Sequence, residues 1–173
     1  MAEFIEIIIL SAIQGISEFI PVSSSAHLYL MSEVQNFEIK SLLTDVSLHL
    51  GSLLAILFYF RDDFLKLFKD QKLLKLLIFG SLPLIMIGFF VFKTGLINYF
   101  RSIEIIAWTT VIFAIFLYIA DKFSVRKKID TDLNLRAILA IGIFQVLALI
   151  PGVSRAGIVI TAGRFLNLSL IHI

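Results

Sequence analysis

Polar and ionisable side chains interrupt two otherwise apolar segments of this chain. The first segment, residues 14–27, reads QGISEFIPVSSSAH, and the second, residues 145–157, reads QVLALIPGVSRAG. Gln, Val and Ser recur in register, 131 residues apart, and a proline falls just before each Val-Ser pair. Polar groups inside apolar segments cost free energy, so their presence suggests a site. Paired, broken hydrophobic segments in two halves indicate a binding site near the middle of a membrane.

The first segment offers a carboxylate and an amide on one helical face. Gln14 and Glu18 are four residues apart, a spacing that places both side chains on the same side of a helix. Glu18 in an apolar segment either binds a cation or a partner, or makes a hydrogen bond between helices.

Three serines and a histidine follow Pro21. The serines, Ser23, Ser24 and Ser25, predict a new helix start, where free backbone N–H groups and the positive end of the helix dipole can bind phosphate. A simple N-cap is the alternative, and it is compatible with phosphate binding. His27 lies three residues after Ser24, so it could act as a base towards a serine nucleophile or serve as a structural hydrogen-bonding group.

The second segment adds a permanent positive charge at a glycine-flanked turn. Arg155 follows Ser154, and the planar guanidinium suits phosphate because it donates two hydrogen bonds at once. The alternative is that Arg155 extends to the membrane interface. Together the two segments suit a phosphate or diphosphate, with a divalent cation bridging the anion to Glu18.

Composition predicts that membrane helices position these residues. The chain of 173 residues is 59% hydrophobic and 16% charged, contains 17 phenylalanines and has a mean hydropathy of +0.98. The net charge of +2 gives no reason to expect nucleic acid, and the absence of cysteine excludes disulfide and thiolate chemistry. A span needs about 20 residues. With their flanks, three apolar stretches reach this length: 46–60, 76–92 and 105–120.

Both motif segments are predicted to be half-helices. The stretch 137–150 has only 14 residues before a Pro-Gly pair, and the first segment is interrupted by polar residues and ends at Pro21. Basic residues concentrate in two loops, 61–75 and 122–136, which the positive-inside rule places in the cytoplasm. We therefore expect the segment before Gln14 and the loop 32–40 outside, and two re-entrant hairpins entering from opposite faces. Full spanning by both segments is the alternative.

Three blocks of the chain resemble the undecaprenyl-diphosphate phosphatase family of the bacitracin-resistance type. They are residues 14–27, residues 45–55 (DVSLHLGSLLA) and residues 151–157 (PGVSRAG). The resemblance implies an all-α, multi-pass protein of the bacterial inner (plasma) membrane, with an inverted-topology repeat, two re-entrant helix hairpins and a site open to the periplasm. It implies hydrolysis of undecaprenyl diphosphate to undecaprenyl phosphate and phosphate, which recycles the lipid carrier for peptidoglycan synthesis and confers bacitracin resistance.

The resemblance also implies the site residues and the cofactor. Gln14, Glu18, Ser24, His27, Ser154 and Arg155 match the family's active-site positions. We assign catalysis to Glu18, Ser24, His27 and Arg155, phosphate binding to Ser23, Ser25, Ser154 and Arg155, and Mg²⁺ or Ca²⁺ to Gln14 and Glu18. The nucleophile is left open between Ser24, His27 and water. The expected partners are a polyprenyl diphosphate and membrane lipid, and a homodimer is left open.

The chain departs from the family pattern at several positions. Ala156 replaces a serine and Val159 a threonine, and the nearby Thr161 is not equivalent. We interpret the chain as a C-terminally truncated member that is inactive alone, with 169–173 as a non-native tail. One membrane domain, 1–173, then comprises a first motif (1–40), three spans with basic loops (41–136) and a second motif (137–168). A transporter or flippase for a lipid phosphate or ion is the alternative function.

Overall fold

A computed structural model describes residues 2–39, 41–127 and 132–169, and regular structure in these ranges is helical. An isolated bridge between Lys127 and Leu168 is the exception. The α-helices are α1 (Ala2–Ser17), α2 (Ser24–Val34), α3 (Leu42–Tyr59), α4 (Arg61–Lys69), α5 (Gln71–Lys93), α6 (Ile97–Phe100), α7 (Ile103–Asp121), α8 (Leu135–Val146) and α9 (Arg155–Phe165). A 3-10 turn, Leu147–Leu149, extends α8.

Three helices in the described ranges, α3, α5 and α7, are long and apolar enough to cross a membrane. They contain the stretches 46–60, 76–92 and 105–120 except for Phe60, the residue after α3, so the prediction of three apolar helices of spanning length is confirmed. Polar residues begin each span: Ser41 accepts a hydrogen bond from the Thr44 N–H, and Ser102 accepts one from the Ile105 N–H. These caps satisfy N–H groups that lack a partner within the helix.

Helices α1 and α2 form a hairpin that is closed at the turn 18–23. At 16 and 11 residues, they are roughly 24 and 16 Å long and shorter than a hydrocarbon core of about 30 Å. The buried Glu6 carboxylate in α1 accepts hydrogen bonds from the backbone N–H groups of Glu38 (3.0 Å) and Ile39 (3.2 Å). The start of α1 therefore lies beside the connection that follows α2. Lys40, in the loop predicted to be outside, lies outside the described residues.

Helices α8 and α9 form a second hairpin, closed by the 3-10 turn and residues 150–154. They have 12 and 11 residues, about 18 and 16 Å, and are also too short to span alone. Near the end of α9, Arg164 pairs with Asp121 at the end of α7 (Nη2–Oδ1 3.3 Å). The open end of this hairpin therefore lies beside the last turn of α7. That the hairpins are re-entrant and form an inverted repeat remains a prediction.

Close backbone contact positions the second hairpin against α5. Helices α5 and α8 meet at Gly80 and Gly142, where a Cβ on Gly142 would collide with the carbonyl oxygen of Gly80. Ile138 of α8 packs over Gly80 and is itself buried. Because a side chain at either glycine would force the helices apart, these residues determine how deeply α8 lies against the span.

Threonines of α7 hold the turn of the second hairpin. The Thr109 hydroxyl donates to the carbonyl oxygen of Pro151 (2.7 Å), and Thr110 donates to that of Gly152 (3.4 Å). Gly152 has a φ of +94°, and a Cβ there would collide with the Thr109 hydroxyl. Glycine is needed at this position both for the backbone conformation and for the close approach to α7.

The predicted tail 169–173 falls largely outside the described residues. Of these positions only Ser169 is described, and its N–H donates to the carbonyl oxygen of Lys127 (2.8 Å). The basic loop 122–136 is described except for residues 128–131. The predicted division of the domain into motifs and spans remains a prediction.

Candidate active site

The turns of the two hairpins meet. The backbone N–H of Gly152 donates a hydrogen bond to the Ser23 Oγ (3.3 Å), across 129 residues of sequence. Ser23 and Ser154, which correspond in the internal repeat, are the N-cap residues of α2 and α9. The two helix N-termini therefore lie together. Such ends carry unpaired N–H groups and partial positive charge, so they form a favourable environment for an anion.

A cavity of about 390 Å³ lies between these helix starts. It contains polar groups from both motifs and from α3. Its polar lining residues are Glu18, Ser23, Ser24, Ser25, His49, Gln145, Ser154 and Arg155. The structure thus brings together the predicted carboxylate, serines and arginine. Arg155 is exposed, and among the described residues it has no carboxylate partner.

Ser24 and Glu18 make the shortest side-chain contact in this cavity. The Ser24 hydroxyl donates to the Glu18 Oε2 at 2.6 Å. Ser24 is buried, and the Glu18 side chain is 24% exposed. A short O–H···O⁻ hydrogen bond is strong and draws the proton towards the carboxylate. The geometry is that of a hydroxyl nucleophile beside its base.

His49 of α3 is the third member of this group and was not among the predicted site residues. Its Nε2 lies 3.3 Å from the Ser24 Oγ and 3.6 Å from the Glu18 Oε2. Its Nδ1 lies 2.8 Å from the Asp45 carbonyl oxygen, an acceptor, which places the ring proton on Nδ1. In the neutral ring Nε2 is then free to accept a proton. The sequence feature that could have indicated His49 is the block 45–55, which resembles the family but was not assigned a role in the sequence analysis.

His27 is placed away from Ser24. Its Nδ1 lies 2.7 Å from the Ser23 carbonyl oxygen, the residue four positions earlier. His27 is exposed and lines a different, mainly apolar cavity of about 330 Å³ between α2, α7 and α9. A spacing of three residues puts two side chains on one helical face, but Ser24 is turned towards α1 and α3. In the described residues no hydrogen bond joins His27 to Ser24.

Gln14 supports Glu18 and holds an unpaired oxygen. It is 1% exposed, and its Nε2 donates to the Glu18 Oε2 (2.9 Å) and the Ser52 Oγ (3.2 Å). Its Oε1 is buried and has no hydrogen-bond partner among the described residues. A buried acceptor without a partner costs about 1–3 kcal/mol.

These oxygen atoms are compatible with the predicted divalent cation. Mg²⁺ and Ca²⁺ take oxygen ligands, and Mg²⁺ is commonly held by one or two carboxylates together with substrate phosphates. Glu18 supplies one carboxylate and Gln14 an amide oxygen. Within the described ranges there is no cluster of three or more His, Cys, Asp or Glu side chains that could hold an ion. Phosphate oxygens and water would therefore complete the coordination.

The family departures lie at the wall of the site. Ala156 and Val159 both line the 390 Å³ cavity, so neither position supplies a hydroxyl there. Thr161 is buried, lines the cavity that contains His27, and donates to the Gly157 carbonyl oxygen (2.7 Å). Thr161 therefore does not substitute for the missing hydroxyl at 159.

The fold and the site define a class: an all-α integral membrane protein with a polar site where two short helix hairpins meet. The chain belongs to the family described as bacitracin resistance protein BacA, whose model matches residues 7–171.

Curated relatives agree with this assignment. The chain is 59% identical over 164 residues to a protein of Pelagibacter ubique (strain HTCC1062) named undecaprenyl-diphosphatase, covering 94% of this chain and 64% of that protein. It is 41% identical over 171 residues to an undecaprenyl-diphosphatase of Elusimicrobium minutum (strain Pei191), covering 94% and 65%. The chain thus spans a little under two thirds of the length of these relatives.

Proposed function

We propose that this protein hydrolyses undecaprenyl diphosphate to undecaprenyl phosphate and phosphate in the bacterial inner membrane, with its site open to the periplasm. The reaction recycles the lipid carrier for peptidoglycan synthesis and confers bacitracin resistance. The names of the relatives support the substrate. The observation that carries the proposal is the 2.6 Å hydrogen bond from Ser24 to Glu18, in one cavity with Arg155.

In this proposal the terminal phosphate lies between the starts of α2 and α9. Arg155 and the hydroxyls of Ser25 and Ser154 donate hydrogen bonds to its oxygens, as the sequence analysis expected. Ser23 lines the same cavity, and its Oγ links the two turns through the Gly152 N–H. Positive helix ends and a guanidinium stabilise the negative charge that develops on the phosphoryl group in the transition state.

Ser24 then attacks the terminal phosphorus, and its proton passes to Glu18. The bond from that phosphorus to the bridging oxygen breaks, and undecaprenyl phosphate leaves with the bonding electrons. Water then attacks the phosphoserine and gives a proton to His49, the bond from the phosphorus to the Ser24 Oγ breaks, Ser24 takes back the proton held by Glu18, and phosphate departs. The distances of 2.6 Å (Glu18) and 3.3 Å (His49) from the Ser24 Oγ support these two groups as bases in place of His27.

Glu18 and Gln14 would hold Mg²⁺ or Ca²⁺ through their oxygen atoms. When bound, the cation supplies positive charge to the phosphate oxygens. The chain's own part is to orient Glu18 through the Gln14 amide, which is itself fixed by the Ser52 hydroxyl.

Hydrolysis and transport are separated by one assay in proteoliposomes. Purified full-length protein is given farnesyl or undecaprenyl diphosphate, and both phosphate release and lipid movement across the bilayer are measured. We expect phosphate release that falls at least about 100-fold in Ser24→Ala, since removal of a nucleophile or its base costs at least this much. Lipid movement without phosphate release would instead establish the transporter alternative.

A further inference from the structure

A second arginine, Arg101, lies near the site and takes no part in the mechanism above. It sits just before α7, and its Nη2 donates to the Asp45 Oδ2 at the start of α3 (2.7 Å). Its guanidinium carbon lies 5.6 Å from the centre of the Tyr29 ring in α2. The Arg101 and Asp45 side chains are 23% and 18% exposed, so the pair is held in place and is still reached by solvent.

Arg101 and Arg155 line the same cavity. This cavity, of about 320 Å³, has as its polar and aromatic lining Ser25, Tyr29, Asp45, His49, Arg101 and Arg155. Ser25, His49 and Arg155 also line the 390 Å³ cavity that contains Ser24 and Glu18. The two cavities therefore adjoin at these three residues and at Ala148, and together they form a longer space with one arginine at the junction and another beyond it.

We propose that Arg101 binds the lipid-linked phosphate of a diphosphate substrate while Arg155 binds the terminal phosphate. This rests on the proposed function and assigns a second phosphate subsite to it. Asp45 accepts one N–H of Arg101, and a guanidinium carries five N–H donors. The remaining donors can contact a phosphate in the planar, two-bond geometry that guanidinium favours.

The chemical consequence is selectivity for diphosphates over monophosphates. A diphosphate spans two adjacent anion-binding groups, whereas a monophosphate at Arg155 leaves Arg101 unoccupied. After hydrolysis neither product contacts both arginines, so each product binds more weakly than the diphosphate substrate.

The test compares Arg101→Gln with the wild type in the full-length protein, using farnesyl diphosphate as substrate and inorganic pyrophosphate and phosphate as competing inhibitors. We expect KM for farnesyl diphosphate and the inhibition constant of pyrophosphate to rise about tenfold, as loss of one charged hydrogen-bonding group predicts. The inhibition constant of phosphate and kcat should change less than about threefold. The control is Lys93→Gln, which removes the same charge at the end of α5, where the residue does not line the cavity.

Two further variants separate binding from a structural role. Asp45→Asn breaks the ion pair and frees the guanidinium, so it should lower KM for farnesyl diphosphate. Arg101→Lys keeps the charge without the planar fork, so its KM should lie between those of the wild type and Arg101→Gln. If Arg101→Gln fails to fold, an increased KM for Arg101→Lys still tests the proposal. Equal increases in KM for Asp45→Asn and Arg101→Gln, or a loss confined to kcat, would show that Arg101 only anchors α3 and would overturn the proposal.

The same assay distinguishes the failure of this inference from the failure of the function. An active wild type whose Arg101→Gln variant keeps its KM and its preference for pyrophosphate would overturn the second subsite alone. A wild type that releases no phosphate from farnesyl diphosphate would overturn the proposed function and the subsite with it.

Discussion

The Ser23 hydroxyl accepts a hydrogen bond from the backbone N–H of Gly152, and this contact joins the turns of two hairpins separated by most of the sequence. Ser23 is buried and also contacts the Ser25 hydroxyl (3.2 Å). Unlike its counterpart Ser154, which caps its own helix, Ser23 makes no capping bond within α2. Its hydroxyl serves the contact between the hairpins instead.

Ser23→Ala should therefore destabilise the protein as well as lower its activity. The change leaves the buried Gly152 N–H without a partner, which costs about 1–3 kcal/mol. Thermal unfolding in detergent should show a lower midpoint than for the wild type. Ser47→Ala is the control, because that exposed hydroxyl bonds only to the Leu43 carbonyl oxygen within its own helix. Equal midpoints for the two variants would show that the contact contributes nothing.

The two histidines should respond differently to substitution. His49→Ala removes the ring beside Ser24 and should lower kcat about 100-fold or more, the usual contribution of a positioned acid or base. His27→Ala should change kcat much less, because that ring bonds to the Ser23 backbone and faces another cavity. The measurement is the initial rate of phosphate release at saturating farnesyl diphosphate. The opposite ranking would restore His27 as the base.

Gln14→Glu should make the protein bind a divalent cation more tightly. The variant places two carboxylates four residues apart on one face of α1, and their repulsion is relieved by a cation held between oxygen ligands. We expect the Mg²⁺ concentration for half-maximal activity to fall about tenfold, as an added charged ligand predicts. With chelator present, thermal unfolding should occur at a lower temperature than in the wild type. An unchanged Mg²⁺ requirement would remove Gln14 from the cation site.

The sequence predicted the local parts of this architecture well. The three apolar helices, the short helices of both motifs and the helix start at Ser24 follow from apolar length, proline and glycine placement and the serine cluster. The proximity of Glu18 and Ser24 could also be expected from the sequence, because both residues belong to one motif. These are short-range features that nearby residues determine.

Contacts between residues far apart in the sequence could not be predicted from it. His49 reaches Ser24 from α3, and Arg101 reaches Asp45 across 56 residues. Spacing within one helix favoured His27 instead, since helical periodicity says nothing about which neighbouring helix contributes a side chain. The packing of Gly80 on Gly142 likewise depends on two helices meeting, and neither glycine alone indicates its partner.

The central claim is that both hairpins contribute to one phosphatase site, and a double-mutant comparison tests it most directly. Phosphate release from farnesyl diphosphate is measured for the wild type, Glu18→Gln, Arg155→Gln and the double variant. We predict that each single change lowers kcat/KM at least about 100-fold, and that the double variant loses far less than the product, because both groups act on one transition state. Near-wild-type rates for both single variants would contradict the account.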